Sequence, residues 1–197
     1  MKVVGLCGQS GSGKGTVSSL FAELNVISID TDKVYHNIIS TDSECTRELI
    51  EFFGDGIAQH PGINRSALRK IAFSSSESLS ALNRITHKHI LSTVRREIER
   101  IKSENTVDGI IIDAPLLFES EFDKECDATL AVTSDLEKKI TRIIERDTIT
   151  REQAIARLSS QIPDEVLKSK CDCFIENNSD AAKLRDKVHT LKKILFD

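Results

Sequence analysis

Apolar residues follow two rhythms along this chain. Five short runs, 2–7 (KVVGLC), 26–30 (VISID), 109–113 (GIIID), 127–132 (DATLAV) and 172–176 (DCFIE), are rich in Val and Ile. Several are continuously apolar, as strands covered on both faces are. Between them the spacing is helical. Val17, Leu20, Phe21 and Leu24 recur at i, i+3, i+4, i+7. Ile90, Leu91, Val94, Ile98 and Ile101 make a second apolar face that ends before run 109–113. Thr150-Arg151-Glu152-Gln153 has capping-box spacing and opens a helix carrying Ile155, Leu158 and Ile162. Ala181, Leu184, Val188, Leu191 and Leu195 define a last helix. Strands alternating with helices predict a parallel α/β sheet. The connection from about residue 33 to 108 is too long for a simple crossover and predicts a mostly helical insertion. Ligands of such sheets bind at the carboxyl ends of the strands. That edge carries Gly8 onward, Asp30 to Asp32 and Asp113-Ala114-Pro115.

Charge and composition narrow the partners. Lys and Arg total 27 against 31 Asp and Glu, a formal net charge of −4 with no basic cluster. This argues against nucleic acid as a partner, so an anionic ligand must be held by local donors. No apolar run reaches the ~18–20 residues that span a bilayer. The start, Met-Lys-Val-Val-Gly-Leu-Cys-Gly, turns to glycine too early for a secretory signal. Five cysteines, an odd number without a C-x-x-C pair, read as reduced thiols of a cytoplasmic protein. Cys171 and Cys173 alternate in the last strand pattern and read as core residues.

The chemistry begins at Gly8-Gln9-Ser10-Gly11-Ser12-Gly13-Lys14-Gly15-Thr16. This is G-x-x-x-x-G-K between a strand and an amphipathic helix, the setting that identifies a P-loop. Backbone amides of Gly11, Ser12, Gly13, Lys14, Gly15 and Thr16 would surround the phosphates of ATP, the helix N-terminus adds partial positive charge, and Lys14 would bridge the β- and γ-phosphates. Gly15 stands where a hydroxyl residue usually holds Mg²⁺. Mg²⁺ is then expected chiefly on the triphosphate and water, with Thr16 as its protein contact. Asp30 and Asp32, two apart in an extended segment, would share a face toward the crevice. Asp30 is equally placed to cap the next helix.

The chain resembles the dephospho-coenzyme A kinase family from Val4 to about Leu191. The markers stand in order: G-L-C-G-Q-S-G-S-G-K-G-T (5–16), V-I-S-I-D-T-D (26–32), F-F-G (52–54), G-I-N-R-S-A-L-R (62–69), Thr86-His87-Lys88-His89-Ile90, D-A-P-L-L-F-E (113–119), Arg142 and Arg146-Asp147 with Thr150-Arg151-Glu152, and I-E-N-N (175–178). Lys88 stands where the family has proline. The resemblance implies a P-loop NTPase fold, with a five-stranded parallel sheet flanked by helices. Core segments 1–32, 106–135 and 163–197 would carry a helical substrate-binding insertion at 33–105 and a lid at 136–162. It implies transfer of phosphate from ATP to the ribose 3′-hydroxyl of dephospho-coenzyme A, the last step of coenzyme A synthesis, with no obligate protein partner and no membrane. Asp32 would be the general base, with Lys14 and Arg142 also catalytic and Arg142 in a lid over ATP. Asp30, Arg65, Arg69 and His87 would contact the acceptor, Asn177 the adenine, and Asp113 a metal-bound water. The competing readings are a packed histidine for His87, a structural carboxylate for Asp113 and a turn residue for Asn177. The G-K-G-T order also suits a nucleoside monophosphate kinase, and loss of the metal-site hydroxyl suits an ATP sensor without turnover.

Overall fold

A computed structural model describes residues 1–196. Its strands are β1 (Lys2–Cys7), β2 (Val26–Asp30), β3 (Gly109–Asp113), β4 (Ala128–Thr133) and β5 (Cys173–Glu176). They form one parallel sheet in the order β2-β3-β1-β4-β5. Val4 lies beside Ile111 on one side and Ala128 on the other, and Leu130 lies beside Cys173. Central β1 and β3 are buried almost throughout, which explains their unbroken Val and Ile runs.

The helices are α1 (Lys14–Ala22), α2 (Thr31–Ile39), α3 (Glu44–Phe53), α4 (Arg65–Ala72), α5 (Ser76–Glu104), α6 (Leu136–Asp147), α7 (Arg151–Ser159), α8 (Asp164–Lys170) and α9 (Ala181–Phe196). The chain divides into two compact units, residues 1–29 with 104–197, and residues 30–103. In the first, Val17 and Phe21 of α1 and Leu184, Val188, Leu195 and Phe196 of α9 share a core with Val4, Leu6, Ile111 and Leu130 of the sheet. A smaller cluster joins Ile140 and Ile143 of α6 to Ala154 and Leu158 of α7. The second unit has its own core of Ile39, Cys45, Leu49, Ile57, Ile63, Leu68 and Ile85.

Several helix starts follow from their caps. Asp30, Ser43, Asn64 and Thr150 each accept a backbone N–H from three residues on, and Ser43 and Thr150 complete capping boxes with Thr46 and Gln153. Three expectations need correction. The last strand starts at Cys173, and Cys171 instead terminates α8. The buried face of α7 is Ala154 and Leu158; Ile155 is exposed and Ile162 lies past the helix. Asp32 is not extended beside Asp30: capping by Asp30 starts α2 at Thr31, so Asp32 sits in a helical first turn.

Candidate functional site

The loop after β1 is a cradle built from glycine and braced from behind. Gly13 is the N-cap of α1 with φ 95°, and a Cβ there would strike the side-chain amide of Asn177. At Gly11, φ 75°, a Cβ would fall 2.5 Å from the carbonyl oxygen of Lys139. Both positions therefore exclude side chains by backbone conformation and by space. Because α1 starts at Lys14, the amides of its first turn have no intrahelical acceptors and, with the helix dipole, suit an anion. Lys14 Nζ donates to Gly8 O at 2.9 Å, which holds the ammonium over the loop.

Three side chains from distant parts of the sequence support this loop. Arg142 of α6 donates through Nη1 to Gly11 O (3.0 Å), Ser12 O (3.3 Å) and Ser134 Oγ (3.2 Å), and through Nη2 to Asn177 O (3.2 Å). Buried Asn177, just past β5, donates Nδ2 to Ser12 O at 2.9 Å. Lys139, one turn before Ile143, is also buried, and its Nζ donates to Gln9 Oε1 (2.5 Å) and Asp164 Oδ2 (2.8 Å). Gln9 in turn donates Nε2 to Leu158 O, and Ser10 N donates to Gln161 Oε1. The rim of the cradle is thus tied to α6, to α7 and to the start of α8.

Lys139 and Asp164 are supporting residues of the cradle that sequence reasoning missed, since charged residues read as solvated; Gln9 lies in the P-loop motif, but its buried partner was not legible. One signal was present: Lys139 lies four residues before Ile143 and next to Ile140, on the stripe that α6 buries.

Asp113 ends β3 in register with Leu6, half-buried at the edge from which the loop springs. Gly15 and Thr16 are exposed at the start of α1, and no atom lies within 4 Å of a Cβ built on Gly15. Among the described residues no three His, Cys, Asp or Glu side chains converge as a metal-binding group. Arg146 forms a two-point pair with Asp147 (2.8 and 2.9 Å), and Arg157 pairs with the same carboxylate. These guanidinium contacts, that of Arg146 foremost, hold Asp147 below the usual carboxylate range.

In the second unit, the Asp30 side chain accepts Lys33 N at 3.0 Å, so one of its oxygens serves the helix cap. Asp32 is exposed in the first turn of α2. Arg65 and Arg69 are exposed one turn apart on α4. Burial raises the Tyr35 phenol, and the positive charge of Arg65 opposes that shift. His87 lies half-buried within α5, which runs unbroken through it. Lys88 supplies the backbone N–H that proline would lack, and its Nζ donates to Glu48 at 2.7 Å.

Comparison with known proteins decides the family. A family model described as dephospho-CoA kinase matches residues 2–183. The chain belongs to the dephospho-CoA kinase family. A dephospho-CoA kinase of Fusobacterium nucleatum is 41% identical over 187 residues, 94% of this chain and 94% of that one. The solved Thermus thermophilus protein TT1252 superposes with a TM-score of 0.84 at 25% identity, over 100% of this chain and 98% of that one. Dephospho-CoA kinase from Campylobacter jejuni gives a TM-score of 0.72 at 24% identity, over 98% and 96%, a likeness of fold. The expected P-loop kinase fold, with its five parallel strands, is therefore the fold of this family member.

Proposed function

We propose that the chain transfers the γ-phosphate of ATP to the ribose 3′-hydroxyl of dephospho-coenzyme A, releasing coenzyme A and ADP. The observation that carries this reading is a braced strand–loop–helix phosphate cradle in a chain matched by the dephospho-CoA kinase family model from residue 2 to 183. Phosphoryl transfer asks the protein mainly to position the reactants and neutralise charge.

Each residue role follows from that demand. The amides from Gly11 to Thr16 hold the β-phosphate, and the Lys14 ammonium leaves Gly8 O to bridge the β- and γ-phosphates. Asp32 accepts the acceptor hydroxyl proton; Asp30, committed through one oxygen to its helix cap, contacts the acceptor with the other. Arg65, Arg69 and His87 in the insertion bind the acceptor's anionic and polar groups. Arg142 and Asn177 serve ATP through the loop carbonyls they hold, and Arg142 adds positive charge beside the transferred phosphate. Residues 136–162 act as a lid that excludes water.

Mg²⁺, when bound, neutralises charge on the β- and γ-phosphate oxygens. The exposed Thr16 hydroxyl and half-buried Asp113, acting through water, fit a cation that keeps most of its hydration. We place the site of action in the cytoplasm, a reading the free thiols support; among the described residues no helix is long and apolar enough to cross a membrane.

The test is ADP release with Mg-ATP and, in parallel, dephospho-coenzyme A, AMP, CMP or UMP. Turnover with dephospho-coenzyme A alone, lost in Asp32→Asn, is expected. Turnover with a nucleoside monophosphate would reassign the acceptor, and ATP binding without turnover would favour a sensor.

A further inference from the structure

Cys7 and Cys171 are separated by 164 positions in the chain, yet their sulfurs lie 3.4 Å apart. Cys7 is the last residue of β1, and the phosphate cradle begins at the next residue. Cys171 terminates α8, whose first residue, Asp164, anchors Lys139 and through it Gln9 of the cradle. A disulfide bond is about 2.05 Å long, so closing the pair draws the two sulfurs, and the side chains that carry them, toward each other. Beside Cys7 lies a cavity of about 70 Å³, lined also by Gly8, Gln9, Pro115 and Gln161, with room for a molecule of peroxide size.

The two thiols are electronically unlike. Cys7 is buried, and its hydrogen bond with Cys171, together with burial, raises it above the usual thiol range. Cys171 is half-buried and held below that range, chiefly by its hydrogen bond with Cys7. The other thiols go the opposite way: burial pushes Cys45 to about 11 and Cys126 to about 12, and raises Cys173. Cys171 is thus the thiol most readily present as thiolate, the nucleophilic form.

We propose that Cys7 and Cys171 form an oxidative modification site, at which a peroxide converts the pair to a disulfide that disables the nucleotide cradle. The Cys171 thiolate attacks one oxygen of hydrogen peroxide; an S–O bond forms, the O–O bond breaks, and hydroxide leaves to become water. The Cys7 sulfur then attacks the sulfenic sulfur of Cys171. The S–S bond forms, the S–O bond breaks, and the hydroxyl departs with the Cys7 proton as a second water. In sum two thiols lose two electrons and two protons, and one peroxide becomes two waters.

The disulfide acts on the loop through one peptide bond. Gly8 O accepts the Lys14 ammonium at 2.9 Å, and a Cβ on Gly8 would overlap Val132 O, so Gly8 has no slack on the β4 side. Drawing Cys7 toward α8 therefore shifts the Gly8 carbonyl and misplaces Lys14. The loss of binding rests on the kinase reading above; formation of the bond does not.

The experiment uses the full chain treated with hydrogen peroxide, quenched and alkylated. Expected are a mass lower by two hydrogens, a peptide joining Cys7 to Cys171, and an affinity for a fluorescent ATP analogue reduced by about tenfold or more, restored by dithiothreitol. Cys171→Ser, with Cys171→Ala as a second variant, should bind the analogue as the untreated chain does and keep that affinity in peroxide. Oxidation that leaves Cys7 and Cys171 unjoined, or a joined pair with unchanged affinity, would overturn the proposal. An untreated chain that binds no ATP analogue while the pair still closes would refute the kinase reading and with it the inhibitory role, leaving the disulfide standing.

Discussion

A lysine ammonium taken out of water costs several kcal/mol unless its donors are met, and Lys139 meets two of them on Gln9 and Asp164. Removing one member leaves the other charge stranded. Lys139→Met is expected to destabilise the chain by about 3 kcal/mol in urea denaturation, and Lys139→Met with Asp164→Leu to recover most of that loss. A single-variant loss below about 0.5 kcal/mol would mean that Asp164 is relieved by water. Gly15 presents the opposite case, a glycine that nothing in the fold requires. Its Cβ would meet open space in the first turn of α1, so Gly15→Ser should raise stability by about 0.5 kcal/mol. If the missing hydroxyl weakens Mg²⁺ binding, the same variant should lower the Mg²⁺ concentration for half-maximal ADP release; an unchanged requirement would show that phosphates and water hold the cation without help at 15.

At the scale of elements, α6 carries the strongest claim. Arg142 spends its donors on Gly11 O, Ser12 O, Ser134 Oγ and Asn177 O, so Arg142→Ala strips the loop of its brace. Turnover should fall by roughly 10²-fold or more if the guanidinium also acts in the transition state. A brace alone would show as weaker ATP binding and a higher KM with kcat nearly kept. The α6–α7 junction adds a pH dependence. Asp147 is held low by Arg146 and Arg157, so its share of stability is complete above the unfolded Asp value of about 3.9 and is lost as pH falls below it. Wild type should therefore melt above Asp147→Asn at neutral pH, with the gap closing below about pH 4; a gap independent of pH would assign the effect to packing. Elements with one dominant signal were legible from sequence. The Val and Ile runs of β1 and β3 and the Thr150 capping box lie where pattern put them. What pattern did not reveal depends on partners far along the chain. Asn177 at a strand end reads as a ligand or turn residue until Ser12 O is brought to its amide. Lys139 reads as solvated until Gln9 and Asp164 enclose it, and Asp32 reads as extended until its neighbour caps a helix.

Across the whole molecule, support for the nucleotide and support for the core lie at opposite edges of one sheet. The cradle springs from the carboxyl end of β1. Gly109 begins β3 in register with Lys2 at the amino end, and a Cβ on it would run into the Phe196 ring. That ring closes the core from the end of α9, edge-on to Phe21 at 5.9 Å between centroids. The family model ends at residue 183, before most of α9, yet Leu184, Val188, Leu195 and Phe196 all belong to the sheet's core. Phe196→Ala should therefore cost about 3 kcal/mol and lower Tm by roughly 6–12 °C. Its ATP affinity, measured well below the new Tm, should stay within about twofold of wild type, because the braces of the cradle, Arg142, Asn177 and Lys139, come from elements other than α9. An affinity that drops in step with stability would mean that the cradle draws its shape from the whole core, and that the brace of Arg142, Asn177 and Lys139 is insufficient to hold it.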